Sequence, residues 1–322
     1  MLRVVAFCVS LCATVAAVAE ARADTWPERP VRVIVPFPAG GGTDSVARVV
    51  AQKLGDSLGQ RFVVENRPGA SGMIGAAAVA KAEPDGYTLL VGSPAEIALN
   101  QHVSKEMTYD PLKDLLPVTL LAWTPLVLAA HPSFEASTPA ELVALAKSRP
   151  VDFSTPGIGS SHQLTGEYIN KLAGTKLIHV PYRGAAPAVT DAVGGQVKLT
   201  ISGMPPVVPH LQAHSLKAIA VTSKQRAPSF PNIPALAETK GFEDVDFTNW
   251  FGLLVPAGTP QPVIDKLAKA ATEALKDPKV RDILQTQAAE PVGNSPQEFS
   301  AFIRAEAEKY GKVAERTGLK VK

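Results

Sequence analysis

Two short segments hold the residues best suited to chemistry. The first, Pro36-Phe37-Pro38-Ala39-Gly40-Gly41-Gly42-Thr43-Asp44, lies between an apolar run and an amphipathic one. Its glycines let the backbone turn tightly and bring amide hydrogens to the start of the following helix, where unpaired N–H groups and the helix dipole attract anions. The segment has neither Gly-x-x-x-x-Gly-Lys nor Gly-x-Gly-x-x-Gly in register, so a nucleotide phosphate is a poor match. A carboxylate asks for less, and a plain connecting turn is the competing explanation. The second segment, Ser154-Thr155-Pro156-Gly157-Ile158-Gly159-Ser160-Ser161-His162, repeats the arrangement ahead of another helix. If the two loops face one cleft, a dicarboxylate, or a carboxylate with a polar tail, is gripped from both sides without an arginine. For His162 the alternative is a first-turn residue facing solvent.

Other chemistry finds little support. There is no Gly-x-Ser-x-Gly elbow, and Ser160, Ser161 and His162 are neighbours in sequence rather than a nucleophile, a base and a third orienting group. His210 and His214 are four apart on a helical stretch but lack a nearby Glu, and they read as a solvated pair rather than zinc ligands. Carboxylates are scattered without a pair. No catalytic residue, metal site or cofactor is expected, although an enzyme on the same scaffold stays the rival class, since fold alone does not fix function. Asp44 is read as an N-cap carboxylate paired with Arg48 four residues later, a structural role.

The elements that must position these loops follow from periodicity. From Val31 onward, short apolar strands alternate with amphipathic helices, which argues for an α/β fold of parallel sheets with helices on both faces. Val31–Pro36 is a strand, and Ser45–Leu58 is a helix with Thr43 or Asp44 as its N-cap. Arg61–Glu65, Tyr87–Gly92 and Pro117–Ala130 are the next strands, with a helix over Ser71–Ala80. Thr138-Pro139-Ala140-Glu141 is a capping box opening a helix to Lys147. Further helices are expected over Ser161–Leu172, Ala185–Val193 and Pro205–Ala213, and strands over Val151–Ser154, Leu177–Tyr182, Val197–Ile201 and Leu216–Thr222. After a proline-rich connection, Ala227–Pro234, come the strand Phe247–Val255 and the helices Pro260–Leu275, Pro278–Thr286 and Pro296–Arg316. The last opens on a second capping box, Ser295 to Glu298. Two long apolar strands, near Trp123–Leu128 and Asn249–Leu254, are candidate crossovers between two lobes, and Trp250 is read as core.

A chain of 322 residues, 46% apolar and 19% charged, has room for a sizeable core and about two domains. Its 32 Lys and Arg nearly balance 30 Asp and Glu, and no basic run appears, so neither a nucleic-acid groove nor a membrane-surface patch is indicated. Residues 1–23 read as an export signal: Arg3, the apolar run Val4–Val18, and Ala21-Arg22-Ala23 before a cut near Ala23. Both cysteines, Cys8 and Cys12, lie inside it, so the mature protein has no disulfide and no thiolate chemistry. Phe7 and Leu11 before them disfavour a lipid anchor. Free release into a periplasm is expected.

These residues resemble the substrate-binding proteins of tripartite tricarboxylate transporters, the Bug family. The resemblance rests on Trp26-Pro27-x-x-Pro30, Pro36-Phe37-x-x-Gly40-Gly41-x-x-Asp44, Glu65-Asn66-Arg67-x-Gly69-Ala70-x-Gly72 and Pro84-Asp85-Gly86-Tyr87-Thr88-Leu89-Leu90. It continues through Val180-Pro181-Tyr182-Arg183-Gly184 and Trp250-x-Gly252-Leu253-x-x-Pro256-x-Gly258-Thr259-Pro260. It implies a type II periplasmic binding protein, two Rossmann-like lobes about a hinged cleft, with lobe 1 at 24–124 plus 249–322 and lobe 2 at 125–248. It implies a small organic carboxylate held by main-chain amides from Phe37–Asp44 and Gly157–His162, with Ser93-Pro94-Ala95 as a third contact region. The implied partners are that ligand and a membrane permease or a signalling protein, with the chain itself a monomer. Arg183 pairs with a second ligand carboxylate or, the favoured reading, braces a neighbouring loop.

Overall fold

The computed structural model describes residues 25–321, so the expected export signal lies outside the described residues. Among the described residues, ten strands and ten α-helices follow in chain order. β1 (Val31–Val35), α1 (Gly42–Leu58), β2 (Phe62–Asn66), α2 (Met73–Ala80) and β3 (Thr88–Gly92) form the opening α/β units. A π-helical turn (Ala95–Leu99) runs into α3 (Asn100–Val103), ahead of the long strand β4 (Leu115–Ala130). Next come α4 (Pro139–Ser148), β5 (Val151–Thr155), α5 (Ser161–Ala173), β6 (Leu177–Pro181), α6 (Ala185–Val193), β7 (Leu199–Gly203), α7 (Val208–Gln212) and β8 (Lys217–Val221). β9 (Thr248–Pro256), α8 (Gln261–Lys276), α9 (Pro278–Thr286), β10 (Glu290–Pro291) and α10 (Pro296–Thr317) close the chain.

β4 joins the two halves. Its sixteen residues are almost wholly apolar, and nearly all are buried, as a strand covered on both faces requires. Residues 115–125 pair antiparallel with β9, whereas 126–130 pair antiparallel with β7 and β8. The strand order β2-β1-β3-β9-β4-β7-β5-β6 therefore runs through one shared strand. Parallel pairing is confined to the outer strands, β1 with β2 and β3 and β5 with β6 and β7. The expectation of parallel sheets is corrected at the centre: β9 and β4 run against their neighbours, a difference that a continuous apolar run does not encode.

The capping boxes at Thr138 and Ser295 form as read. α1 starts three residues earlier than expected, at Gly42 with Gly41 as N-cap, because glycine backbone takes the helical turn without needing a side-chain cap. The helix expected over 205–213 shrinks to Val208–Gln212, and the π-helical turn at 95–99 carries no periodicity that marks it in sequence.

α10 returns from the chain end to pack on the π-helical turn, β4 and α5. Trp250 is fully buried and packs edge-on against Phe299 and Phe302, while its indole Nε1 donates to Glu306 at 3.0 Å. A Cβ on Gly252 would stand 2.1 Å from the Phe299 ring, so the absence of a side chain there lets α10 lie against β9. Burying aromatics of this size contributes about 2–3 kcal/mol each.

Candidate functional site

The first loop begins where β1 ends. Gly40 has φ +83°, a region open to glycine and costly for other residues, and no side chain caps α1. The first N–H groups of the helix, which have no intrahelical partner, are left without a side-chain cap. Asp44 is not the N-cap. It lies in the first turn, buried, and its carboxylate accepts from the Gly40 N–H at 3.1 Å, from Arg48 Nε at 3.0 Å and from Asn66 Nδ2 at 2.9 Å. The pairing with Arg48 is present as read. Asn66 also donates to the Phe37 carbonyl at 2.9 Å, so these three side chains fix both ends of the loop. Burial acts to raise the Asp44 pKa, but the hydrogen bonds from Arg48, Asn66 and Gly40 and the Arg48 charge outweigh it and hold the carboxyl below its ordinary value. Asp44 is a brace.

The second loop follows β5 in the same way, with Gly157 at φ +155° and Gly159 at φ +75°. Ser160 caps α5: its Oγ accepts from the Gln163 N–H at 3.2 Å and donates to the Gly157 carbonyl at 2.7 Å. Gln163 Oε1 in turn accepts from the Gly159 N–H at 2.8 Å, a reciprocal cap. His162 does not face solvent. It is 8% exposed, in a segment covered on both sides: a Cβ on Gly159 would meet Asn100 and Val321, and Ser161 pairs with Tyr310 of α10. Burial pushes its pKa down to about 3, which keeps the imidazole neutral, and its Nδ1 is enclosed without a hydrogen-bond partner.

The two helix starts meet at one cavity of about 530 Å³ of empty space, counting the part open to solvent. Phe37, Pro38, Gly41, Gly42 and Thr43 line it from the first loop, and Ser160, Ser161 and His162 from the second. Ser93 and Ala95 line it from the turn after β3. No Asp, Glu, Lys or Arg is in the lining. Ala39, Gly40, Asp44, Pro94 and Gly159 are outside it. Gly157, Ile158 and Arg183 line instead an adjoining, wider cavity of about 1330 Å³, likewise open, which shares Phe37, Pro38 and Pro156 with the first.

Arg183 is exposed and makes no hydrogen bond or ion pair with the described residues. The bracing expected of it is corrected: Tyr182, not Arg183, ties this loop down, donating its hydroxyl to Asp191 at 2.7 Å. Among the described residues, no group of three or more His, Cys, Asp or Glu is placed to hold a metal ion. His210 is turned to Ser215, 3.2 Å from its hydroxyl.

Sequence reading missed Pro156, Ala185, Gly203, Pro206 and Asn249 in the lining. Asn249 is the one with a signal, a polar residue at the start of an apolar strand. It also missed Glu96, whose fully buried carboxyl accepts from Ser93 N at 2.5 Å and Ser93 Oγ at 2.8 Å. Burial raises the Glu96 pKa to about 8. A Cβ on Gly72 would meet both Glu96 and Phe37, so Glu96 underpins the wall that Ser93 and Phe37 present to the cavity.

A family model described as the tripartite tricarboxylate transporter family receptor matches residues 46–319. Protein BugT of Bordetella pertussis is 39% identical over 313 residues, covering 96% of each chain. Among solved structures, an R. palustris protein with adipate is 35% identical with TM-score 0.88, covering 92% of this chain and 99% of that one. MatC from Rhodopseudomonas palustris, with bound malate, is 32% identical with TM-score 0.84, covering 89% and 99%.

Proposed function

Because the chain belongs to the tripartite tricarboxylate transporter receptor family, a family of substrate-binding proteins, we propose that it captures a small organic carboxylate in the cleft between its lobes and delivers it to a membrane permease. The fold is that of a two-lobed, type II periplasmic binding protein. One observation carries the reading of the site: the uncapped start of α1 and the first turn of α5 open on the same cavity, which has no ionised side chain in its lining. Helix N-termini favour carboxylate oxygens there. The ligand site comprises the Phe37–Thr43 loop, Ser93 and Ala95, and Ser160–His162, with Gly157, Ile158 and Arg183 at its outer margin. The adipate and malate on the two neighbours support the ligand class.

Lobe 1 is assigned to 24–124 plus 249–322 and lobe 2 to 125–248, a division supported by the change of β4 partners at Pro125 and Leu126. The chain acts in the periplasm, as a carrier without turnover. Protein recovered from a bacterial periplasm is screened by thermal shift against mono-, di- and tricarboxylates, then by calorimetry. A micromolar complex, about 8 kcal/mol, with the ligand recovered unchanged, is expected. No thermal shift with any acid, or a new product, rejects the reading.

A further inference from the structure

Resting on that reading, we infer that His162 is a specificity-determining residue that selects carboxylates bearing a second, uncharged hydrogen-bonding group. Three observations converge. His162 lines the cavity between the two helix starts and is more than nine-tenths buried. Its Nδ1 is enclosed without a partner, and no hydrogen bond is formed by either ring nitrogen with the described residues. Leaving the enclosed Nδ1 unpaired is costly, and Nε2, unpaired but not enclosed, is the ring nitrogen left open to a ligand. A ligand bound against the first turn of α5 is in position to pair with Nε2.

The charge balance of the cavity narrows what that contact is. Each helix N-terminus is equivalent to about half a positive charge, so α1, α5 and the uncapped start of α6, whose first residue Ala185 also lines the cavity, together offset one carboxylate fully and a second only in part. Phe37, Pro38, Ala95, Pro156, Ala185 and Pro206 make the remaining wall largely apolar. A second carboxylate enclosed there meets no charged side chain and only partial counter-charge from the helix starts, and it bears the desolvation cost of a buried ion. A hydroxyl, carbonyl or ring nitrogen needs only one neutral partner, and a neutral imidazole offers one N–H and one lone pair. A longer acid with a second carboxylate is accommodated only by placing that end in the outer cavity beside Arg183.

The test is calorimetry with two matched panels. One is butyrate, 2-, 3- and 4-hydroxybutyrate and succinate; the other is benzoate, the three hydroxybenzoates, nicotinate and isophthalate. In the wild-type chain, at least one neutral-substituted acid binds tenfold or more tighter than both its unsubstituted parent and its diacid. His162→Leu brings that ratio to within about threefold, and His162→Gln retains part of it. On the wild-type protein itself, nitrogen NMR of the histidine rings shows a His162 ring signal moving with the preferred acid and not with its parent. Equal binding across each panel, a preference unchanged in His162→Leu, or a static His162 signal overturns the inference while leaving carboxylate capture standing. Failure of every acid to bind overturns both.

Discussion

The Ser71 hydroxyl donates to the Ile158 carbonyl, tying the turn after β2 to the loop after β5 across the outer cavity that both residues line. Ser71 and its neighbour Ala70 hold φ of 49° and 47°, a left-handed conformation that costs non-glycine residues free energy and persists only where surroundings enforce it. Asn100 helps enforce it, donating through Nδ2 to the Ser71 carbonyl at 3.3 Å. The bond spans a gap between loops from opposite halves of the sheet, so it requires those two loops to approach each other.

Ser71→Ala is therefore expected to leave the melting temperature of the free protein within about 2 °C while raising the ligand dissociation rate about fivefold, the equivalent of about 1 kcal/mol for one hydrogen bond. Surface plasmon resonance with a carboxylate ligand reads this directly. An unchanged dissociation rate removes the bond from the closing step.

Asp44→Ala removes the acceptor shared by Gly40, Arg48 and Asn66. Asn66 then loses one of the two contacts that hold Phe37 against the loop. A loss of about 2 kcal/mol is expected for a buried, charge-assisted set of this kind, equivalent to a fall of about 3 °C in a chain this long. Asp44→Asn, which keeps an acceptor oxygen, falls by less. Differential scanning calorimetry that finds the two variants equal rejects the network as the cause.

Much of this was legible in the chain, and the exceptions share a cause. The two glycine loops stand out because turn chemistry and helix starts are local, and the same is true of the capping boxes at Thr138 and Ser295. The burial of Trp250 was legible because it sits in an unbroken apolar strand. Illegible were properties that depend on what crosses over from a distant part of the chain. His162 is polar at a helix start, and its burial depends on tertiary packing around the first turn of α5 that no local pattern encodes. Glu96 reads as an ordinary surface carboxylate until the Gly72 turn is laid over it. Arg183 suggested a brace because Tyr-Arg-Gly after a strand leaves both side chains plausible, and tertiary placement chose Tyr182.

Two buried groups, Glu96 and His162, and the half-buried His179 set a pH profile for stability. Between pH 4.5 and about 8 the folded chain keeps the Glu96 proton that the unfolded chain has released, so this contribution is complete at low pH and lost as pH rises through that window. His162 and His179 act in the opposite sense. Burial lowers their pKa to about 3 and about 4, from 6.5, so their contribution is present above pH 6.5 and lost as pH falls. With a slope of about 1.4 kcal/mol per pH unit for each fully titrating group, the three place maximum stability near pH 6.5. Glu96→Gln is expected to flatten the alkaline limb of a melting-temperature profile and to steepen the acid limb between pH 4.5 and 6.5, where the Glu96 contribution opposes that of the two histidines. An alkaline limb as steep as wild type rules out Glu96 as its source.

The anion grip itself is tested at Gly41. This residue has φ −86° and ψ 168°, a few degrees beyond the range of proline's ring, about −65 ± 15°, and an added Cβ would meet only the Pro38 carbonyl at 3.8 Å and the Ala185 Cβ at 3.9 Å, ordinary contacts. Gly41→Pro thus removes one backbone donor at the start of α1 with only a small change of φ, and Gly41→Ala introduces the same Cβ while keeping the N–H. If that amide helps hold the ligand carboxylate, the proline variant binds at least tenfold more weakly than the alanine variant at similar melting temperatures, because a charge-assisted hydrogen bond contributes about 1.5–3 kcal/mol. Calorimetry on the pair isolates the donor from the side chain. Equal affinities would mean that α1 meets the ligand through Gly42 and Thr43 alone, and the contribution of Gly41 would be limited to shaping the turn.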